Sequence, residues 1–205
     1  MTTDEKAVLL VEYVSSLSHF KKLESLTYGG YGHMGATITD AILQAGQNWY
    51  TVVEPRVRRV REQYPQARTT SSFMLLCETV GVKSMIDWKD AEKPGRILAV
   101  TRFFKSEGIE TEEDLKRWMA EAKNIARLKQ LRGIGPKTLD YFRMLVGIST
   151  TAIDRHVLGF LDAAGIATKN YDEAHEVVEK AADRMKMDRQ LFDLSIWEYM
   201  ALTKR

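Results

Sequence analysis

Apolar residues recur along this chain at intervals of three and four, and no convincing stretch alternates apolar with polar as a half-buried strand would. Leu10, Val14 and Leu17 share one helical face, widened by Leu9 and Tyr13, behind a Thr2-x-x-Glu5 sequence that resembles a capping box. The segment Tyr28-Gly29-Gly30-Tyr31-Gly32-His33-Met34-Gly35 is too rich in glycine to hold a helix and reads as a loop. Helical spacing resumes at Ile38, Ile42 and Leu43, then at Val53, Val57 and Val60, with Pro55 in what would be a first turn. Phe73-Met74-Leu75-Leu76 predicts a further helix. Ile97, Leu98, Val100, Thr101 and Phe104 predict another, closed by Gly108. Thr111-Glu112-Glu113-Asp114 opens a helix through Leu115, Trp118 and Met119, with its acidic residues at the positive end of the dipole. Two last helices are read around Ala174, Val177, Val178 and Ala181, and around Leu191, Leu194, Ile196, Trp197 and Met200. With no internal repeat and no low-complexity segment, the class is all-α.

Composition narrows the picture without deciding it. A hydrophobic content of 44% over 205 residues supplies the core of one sizeable unit or two small interlocked ones. The net charge is only +2, so any affinity for nucleic acid must come from a local patch and not from a global field. Four histidines and the single Cys77 exclude most multi-ligand metal sites, and no metal is expected. One cysteine forms no internal disulfide, which fits a reducing compartment. The start, Met1-Thr2-Thr3-Asp4-Glu5-Lys6, is polar and acidic where a signal peptide is basic, and no run approaches the roughly 20 apolar residues of a membrane span. The expectation is a soluble intracellular protein with no membrane partner, cytoplasmic and nucleoid-associated, or nuclear in a eukaryote.

The most informative segment is Leu131-Arg132-Gly133-Ile134-Gly135-Pro136-Lys137-Thr138. A helix with Ile125 and Leu128 leads in, and one with Leu139, Phe142, Leu145 and Val146 leads out. Gly133 and Gly135 permit a tight hairpin and a close backbone approach, and Pro136 suits a first helical position. Amides at the positive end of a helix make a phosphate site, which positions a protein on DNA without reading its sequence. The bland alternative is an ordinary corner between two helices that happens to contain two glycines.

Further on stands Ser149-Thr150-Thr151-Ala152-Ile153-Asp154-Arg155-His156-Val157. Hairpin and downstream aspartate together resemble the helix-hairpin-helix DNA glycosylase superfamily, which includes endonuclease III and the 8-oxoguanine glycosylases. The Ile-Asp-Arg-His wording is closest to an archaeal-type 8-oxoguanine branch. The strong part of the resemblance runs from about Ile125 to Leu161. Outside it, Ile42-Leu43-Gln44-Ala45-Gly46-Gln47 is similar to the helix that carries a duplex-probing glutamine, best matched by Gln47. Leu194-Ser195-Ile196-Trp197 is similar to a closing helix. Endonuclease III carries a four-cysteine iron–sulfur cluster, and a chain with only Cys77 would belong to a branch without one.

The resemblance implies Lys137 as the Schiff-base lysine and Asp154 as the catalytic carboxylate, with Gly133, Ile134, Gly135, Thr138, Gln47 and Arg155 on DNA. It also implies two helical subdomains, 31–148 in the centre and 1–30 with 149–205 formed by both chain ends. The activity would be excision of a damaged, for instance oxidised, base from duplex DNA by a monomer without a cofactor, with lyase cleavage through the lysine. The residue types suit that chemistry: a carboxylate stabilises the cation that develops on the sugar, and an amine attacks the anomeric carbon once it is neutral. The helix dipole disfavours the ammonium at the Lys137 position. Each residue also has a plainer role, Lys137 as a phosphate contact and Asp154 as a helix N-cap before Val157, Leu158 and Leu161. A non-catalytic DNA-binding scaffold, or a monofunctional glycosylase using water, therefore stands beside the lyase. His156 has no second histidine at ligand spacing and reads as structural or DNA-facing. Arg56, Arg58, Arg59 and Arg61 either touch phosphates or, more simply, form a solvated face. Gln47, Asn48, Trp49 and Tyr50 either fill the gap left by an extruded base or, for the aromatic pair, join the core. Tyr28, Tyr31 and His33 either approach DNA or join the subdomains.

Overall fold

A computed structural model of the chain describes residues 1–25 and 30–203, and every regular element among them is helical. In order these are α1 (Thr3–Ser16), α2 (Met34–Leu43), a π-helical turn (Trp49–Val53), α3 (Glu54–Gln63), α4 (Thr70–Thr79) and α5 (Val82–Met85). There follow α6 (Glu92–Ser106), α7 (Glu112–Met119), α8 (Ala122–Leu128), α9 (Pro136–Leu145), α10 (Arg155–Ala163), α11 (Tyr171–Arg184) and α12 (Arg189–Thr203). The chain divides into two compact units, a central one of Tyr28–Ile148 and a terminal one of Met1–Thr27 with Ser149–Arg205. No helix among the described residues is long and apolar enough to cross a membrane.

The central unit is built around α2, all ten of whose residues are buried, with α3, α4, α6 and α9 packed about it. Phe73, Phe104 and Phe142 fill the core, and the rings of Phe104 and Phe142 meet edge to face at 5.5 Å. Full burial of such a side chain stabilises by about 1.5–3 kcal/mol. The helix begins earlier than the glycine-rich sequence predicts, because Gly35 lies inside it. A Cβ on Gly35 would come within 2.8 Å of the Phe73 ring, so this glycine serves close packing and not a turn. His33 caps the helix: its Nδ1 accepts from Ala36 N at 3.1 Å, which leaves the ring proton on Nε2, 3.0 Å from Tyr64 O. Burial lowers the histidine pKa and keeps this neutral form. Tyr31 and His33 are thus structural in the central unit, while Tyr28 and Gly29 lie outside the described residues. The Glu112 carboxylate ties the loop to α7, accepting from the amides of Tyr31 and Gly32 at 3.0 and 2.9 Å and from the Thr37 hydroxyl.

The α3 arginines are less solvated than their sequence suggests. Arg56 donates to Val52 O and Asp87 O and lies over the Trp88 ring, and Arg59 donates to Met85 O. Arg61 lies 5.3 Å from the Tyr31 ring centroid, and Arg58 remains exposed.

In the terminal unit the capping box at Thr2 and Glu5 forms as read, and α1 packs along α11. Phe160, Phe192, Val177, Val178 and Ile196 are fully buried, and Tyr13, Phe20 and Tyr199 pack against Phe160. At 2.6 Å, the Lys6–Glu173 ion pair fixes the start of α11 to α1.

Candidate functional site

Between α8 and α9 the chain turns through residues 129–135, with Ile134 N donating to Leu131 O at 3.1 Å. The two glycines of this turn do different things. Gly133 has φ +83°, a left-handed conformation, and a Cβ there would lie 2.5 Å from the Arg96 guanidinium. Gly135 has an ordinary extended backbone, φ −100° and ψ 178°, and a Cβ there would meet nothing within 4 Å. The turn therefore needs Gly133. At Gly135 the missing side chain only leaves open space before α9, so the sequence expectation that both glycines serve the bend holds for one.

Gly135 is the N-cap of α9 and offers no side chain to it, and Pro136 follows with no N–H. Leu139 N is bonded to Gly135 O at 3.1 Å. The amides of Lys137 and Thr138 precede it, at the positive end of the helix. Ile134 and Thr138 are only 4% and 5% exposed, so a ligand at this turn would meet their backbone and not their side chains. Lys137 is half-buried, with its ammonium 5.4 Å from the ring centroid of Tyr141, one helical turn on.

Two cations that the sequence reading passed over stand on one face of α6, and the second of them lies against this turn. Arg96 packs against Gly133 and pairs with Glu92 at 2.6 Å. Lys93, three residues earlier on the same face of α6, donates to Ile42 O at 2.7 Å and to Ala45 O at 2.9 Å, closing the C-terminal end of α2. Burial, with the charges of Arg96 and Lys137, brings the Lys93 ammonium down to about 8. Their signal in the sequence was a Lys-x-x-Arg pair in the first turns of a helix, where cations are unfavourable. Gln47 is exposed on the turn that follows α2. Asn48 caps the π-helical turn through Thr51 N at 3.0 Å. The aromatic pair after it divides: Trp49 packs on the core and Tyr50 is 63% exposed.

In the terminal unit Asp154 is the N-cap of α10, accepting from His156 N at 2.7 Å and Val157 N at 2.9 Å. Both bonds end on Oδ1, and Oδ2 takes part in neither. The extended segment before it is held at several points: Thr150 Oγ donates to Glu179 at 2.8 Å, Ala152 N to Asp193 at 2.8 Å and Ile153 N to the Tyr171 hydroxyl at 3.1 Å. Arg155 is exposed, and His156 lies half-buried with its ring 6.1 Å from that of Trp197. Among the described residues no three His, Cys, Asp or Glu side chains are grouped to hold a metal ion.

Over residues 9–201 the chain matches the model of a family described as a domain of unknown function, DUF8548, and it belongs to that family. No curated protein and no solved structure matches it.

Proposed function

We propose that this protein is a DNA glycosylase with lyase activity, which excises a damaged base from duplex DNA using Lys137 as nucleophile and Asp154 as the supporting carboxylate. The observation that supports this best is the N-terminus of α9. A helix start with its positive dipole end, open space before Gly135, a half-buried Lys137 and the Arg96 guanidinium against Gly133 together suit a phosphate backbone and a reactive amine. With the target nucleotide extruded, the Lys137 amine attacks the sugar's anomeric carbon and the bond to the base breaks, the base leaving with a proton. Ring opening gives the Schiff base, and β-elimination then cleaves the strand. Asp154 would stabilise the positive charge that builds on the sugar.

One observation favours a second reading. Asp154 already makes both bonds expected of a helix cap, which is all a non-catalytic DNA-binding scaffold would ask of it. Borohydride trapping on a panel of duplexes with single oxidised, deaminated, alkylated or mismatched bases, run beside a base-release assay, separates the readings. A lyase is trapped, a monofunctional glycosylase releases base without trapping, and a scaffold does neither. Lys137→Gln should abolish trapping and leave most DNA affinity, because one phosphate contact is a small part of a multi-contact footprint. Undiminished strand cleavage by that variant would remove Lys137 from the mechanism.

A further inference from the structure

The arginines of α3 divide between two faces of the helix. Arg56 and Arg59 are occupied by the carbonyls of Val52, Met85 and Asp87. Arg58 and Arg61 fall with Glu54 and Glu62 at spacings of three and four, on another face. That face lines a cavity of about 380 Å³ within the central unit, at the lower end of the range for small-molecule sites. Tyr31, His33, Trp49 and Arg68 line it too. Its frame is tied together: Tyr64 O lies 3.0 Å from His33 Nε2. The amides of Met34 and Gly35 donate to Arg68 O and Ala67 O at 3.2 and 3.0 Å, holding the segment that bears Arg68 to the start of α2.

Three guanidiniums thus meet around one cavity, and their charge is poorly answered. Among the described residues neither Arg61 nor Arg68 is in an ion pair. Arg58 reaches Glu54 only at 3.8 Å, an exposed contact that contributes little. Against the three arginines stand Glu54 and Glu62, which leaves the lining positive. Guanidiniums grip phosphate by paired hydrogen bonds and stack on π-systems, as Arg61 already does over Tyr31. Trp49, half-buried against the core, brings an indole to the same cavity. A bare anion would leave that ring unused, and an apolar ligand would desolvate the arginines without a partner. We infer that this cavity binds a nucleoside phosphate, with Arg61 and Arg68 on the phosphate and Trp49 against the base. A free mononucleotide and an unpaired nucleotide of a single strand offer the same chemistry. The inference rests on neither Lys137 nor Asp154.

The test is titration calorimetry on the purified full chain at fixed salt, with deoxyadenosine monophosphate and inorganic phosphate as separate probes. A labelled short oligodeoxyadenylate is followed in parallel by fluorescence anisotropy. The mononucleotide should bind about five- to a hundredfold more tightly than phosphate, the difference that base stacking supplies. Arg61→Gln and Arg68→Gln should each weaken it about ten- to a hundredfold, and Glu62→Gln should strengthen it. All three side chains are exposed, so melting should stay near that of the parent. Trp49→Leu should bring the mononucleotide down to the affinity of phosphate, and the three exposed variants carry the test if it folds poorly. Binding of the mononucleotide but not the oligomer identifies a free-nucleotide site. Tighter binding of the oligomer, lost in the same arginine variants, identifies a site for a single strand. Failure of both to bind, phosphate binding as tightly as the mononucleotide, or binding that Arg61→Gln and Arg68→Gln leave unchanged overturns the inference.

Discussion

Replacing Gly135 by alanine adds one methyl group at the mouth of α9, and the structure makes its consequences for folding and for binding diverge. The backbone there, φ −100° and ψ 178°, suits any residue, and the new Cβ meets nothing within 4 Å. Two small effects on stability oppose each other. Alanine restricts the unfolded chain, which stabilises by about 0.4–1 kcal/mol at a compatible position. It is also a poorer N-cap than glycine, which costs an amount of the same order. The net change should lie within about 0.5 kcal/mol, a shift of about 2 °C or less in melting temperature for a chain of this length. Gly133→Ala is the internal control. Its φ of +83° costs about 1–2 kcal/mol for an L side chain, and its Cβ would sit 2.5 Å from Arg96, so melting should fall by about 4–8 °C. On DNA the order reverses in meaning. If a phosphate approaches the Lys137 and Thr138 amides through the space before Gly135, the methyl group blocks one or two charge-assisted hydrogen bonds worth about 1.5–3 kcal/mol each. Affinity should then drop about ten- to a hundredfold on damaged and undamaged duplexes alike, measured by fluorescence anisotropy at fixed salt. Gly135→Ala that melts like the parent and binds DNA equally well would refute the phosphate site. One that unfolds more readily than Gly133→Ala would refute the division of labour between the two glycines.

Asp154→Asn separates cap from catalyst: asparagine caps as well as aspartate, so melting should hold, while single-turnover base release should fall about 10²–10⁴-fold. A rate within a few-fold of the parent would reduce Asp154 to a cap. Asp40 makes a prediction about pH, since burial raises its carboxyl from 3.8 to about 6. A folded-state value above the unfolded one means that ionisation opposes folding. The cost is absent below about pH 4, grows as pH rises toward 6 and persists above, at about 2–3 kcal/mol. Asp40→Asn, which can still bond Tyr31 and Gln44, should therefore melt several degrees above the parent at pH 8 and match it at pH 4; a gap of equal size at both would exclude titration as the cause. His33 acts in the opposite sense, since its lowered pKa withdraws stability as pH falls, but it is common to both proteins and drops out of the comparison.

Local chemistry was legible in the sequence wherever it depends on neighbours in the chain. The capping boxes at Thr2 and Thr111, Pro136 opening α9, Gly108 closing α6 and Asp154 before α10 all follow from which backbone donors or carbonyls a helix end leaves unsatisfied, and residues within about one turn of that end decide how they are met. The all-helical class follows from the period of the apolar positions. What depends on distant partners was not legible. Gly35 reads as a loop residue until Phe73 packs on it, and Gly135 reads as a bend until its φ places it in ordinary extended backbone. The α3 arginines read as solvent-facing until carbonyls at positions 85 and 87 accept from two of them. Glu112 looks like one more acidic residue in a first turn, yet it accepts from amides 81 and 80 residues away. The same holds for Lys93. A lysine near a helix start has no assigned place until α6 folds against the end of α2, and the carbonyls that bind it lie 51 and 48 residues back along the chain. Sequence patterns encode the period of an element and the caps at its ends; which carbonyls a charge such as that of Lys93 comes to rest on is decided only when the elements pack, because burial and Coulomb interaction depend on distance in space and not along the chain.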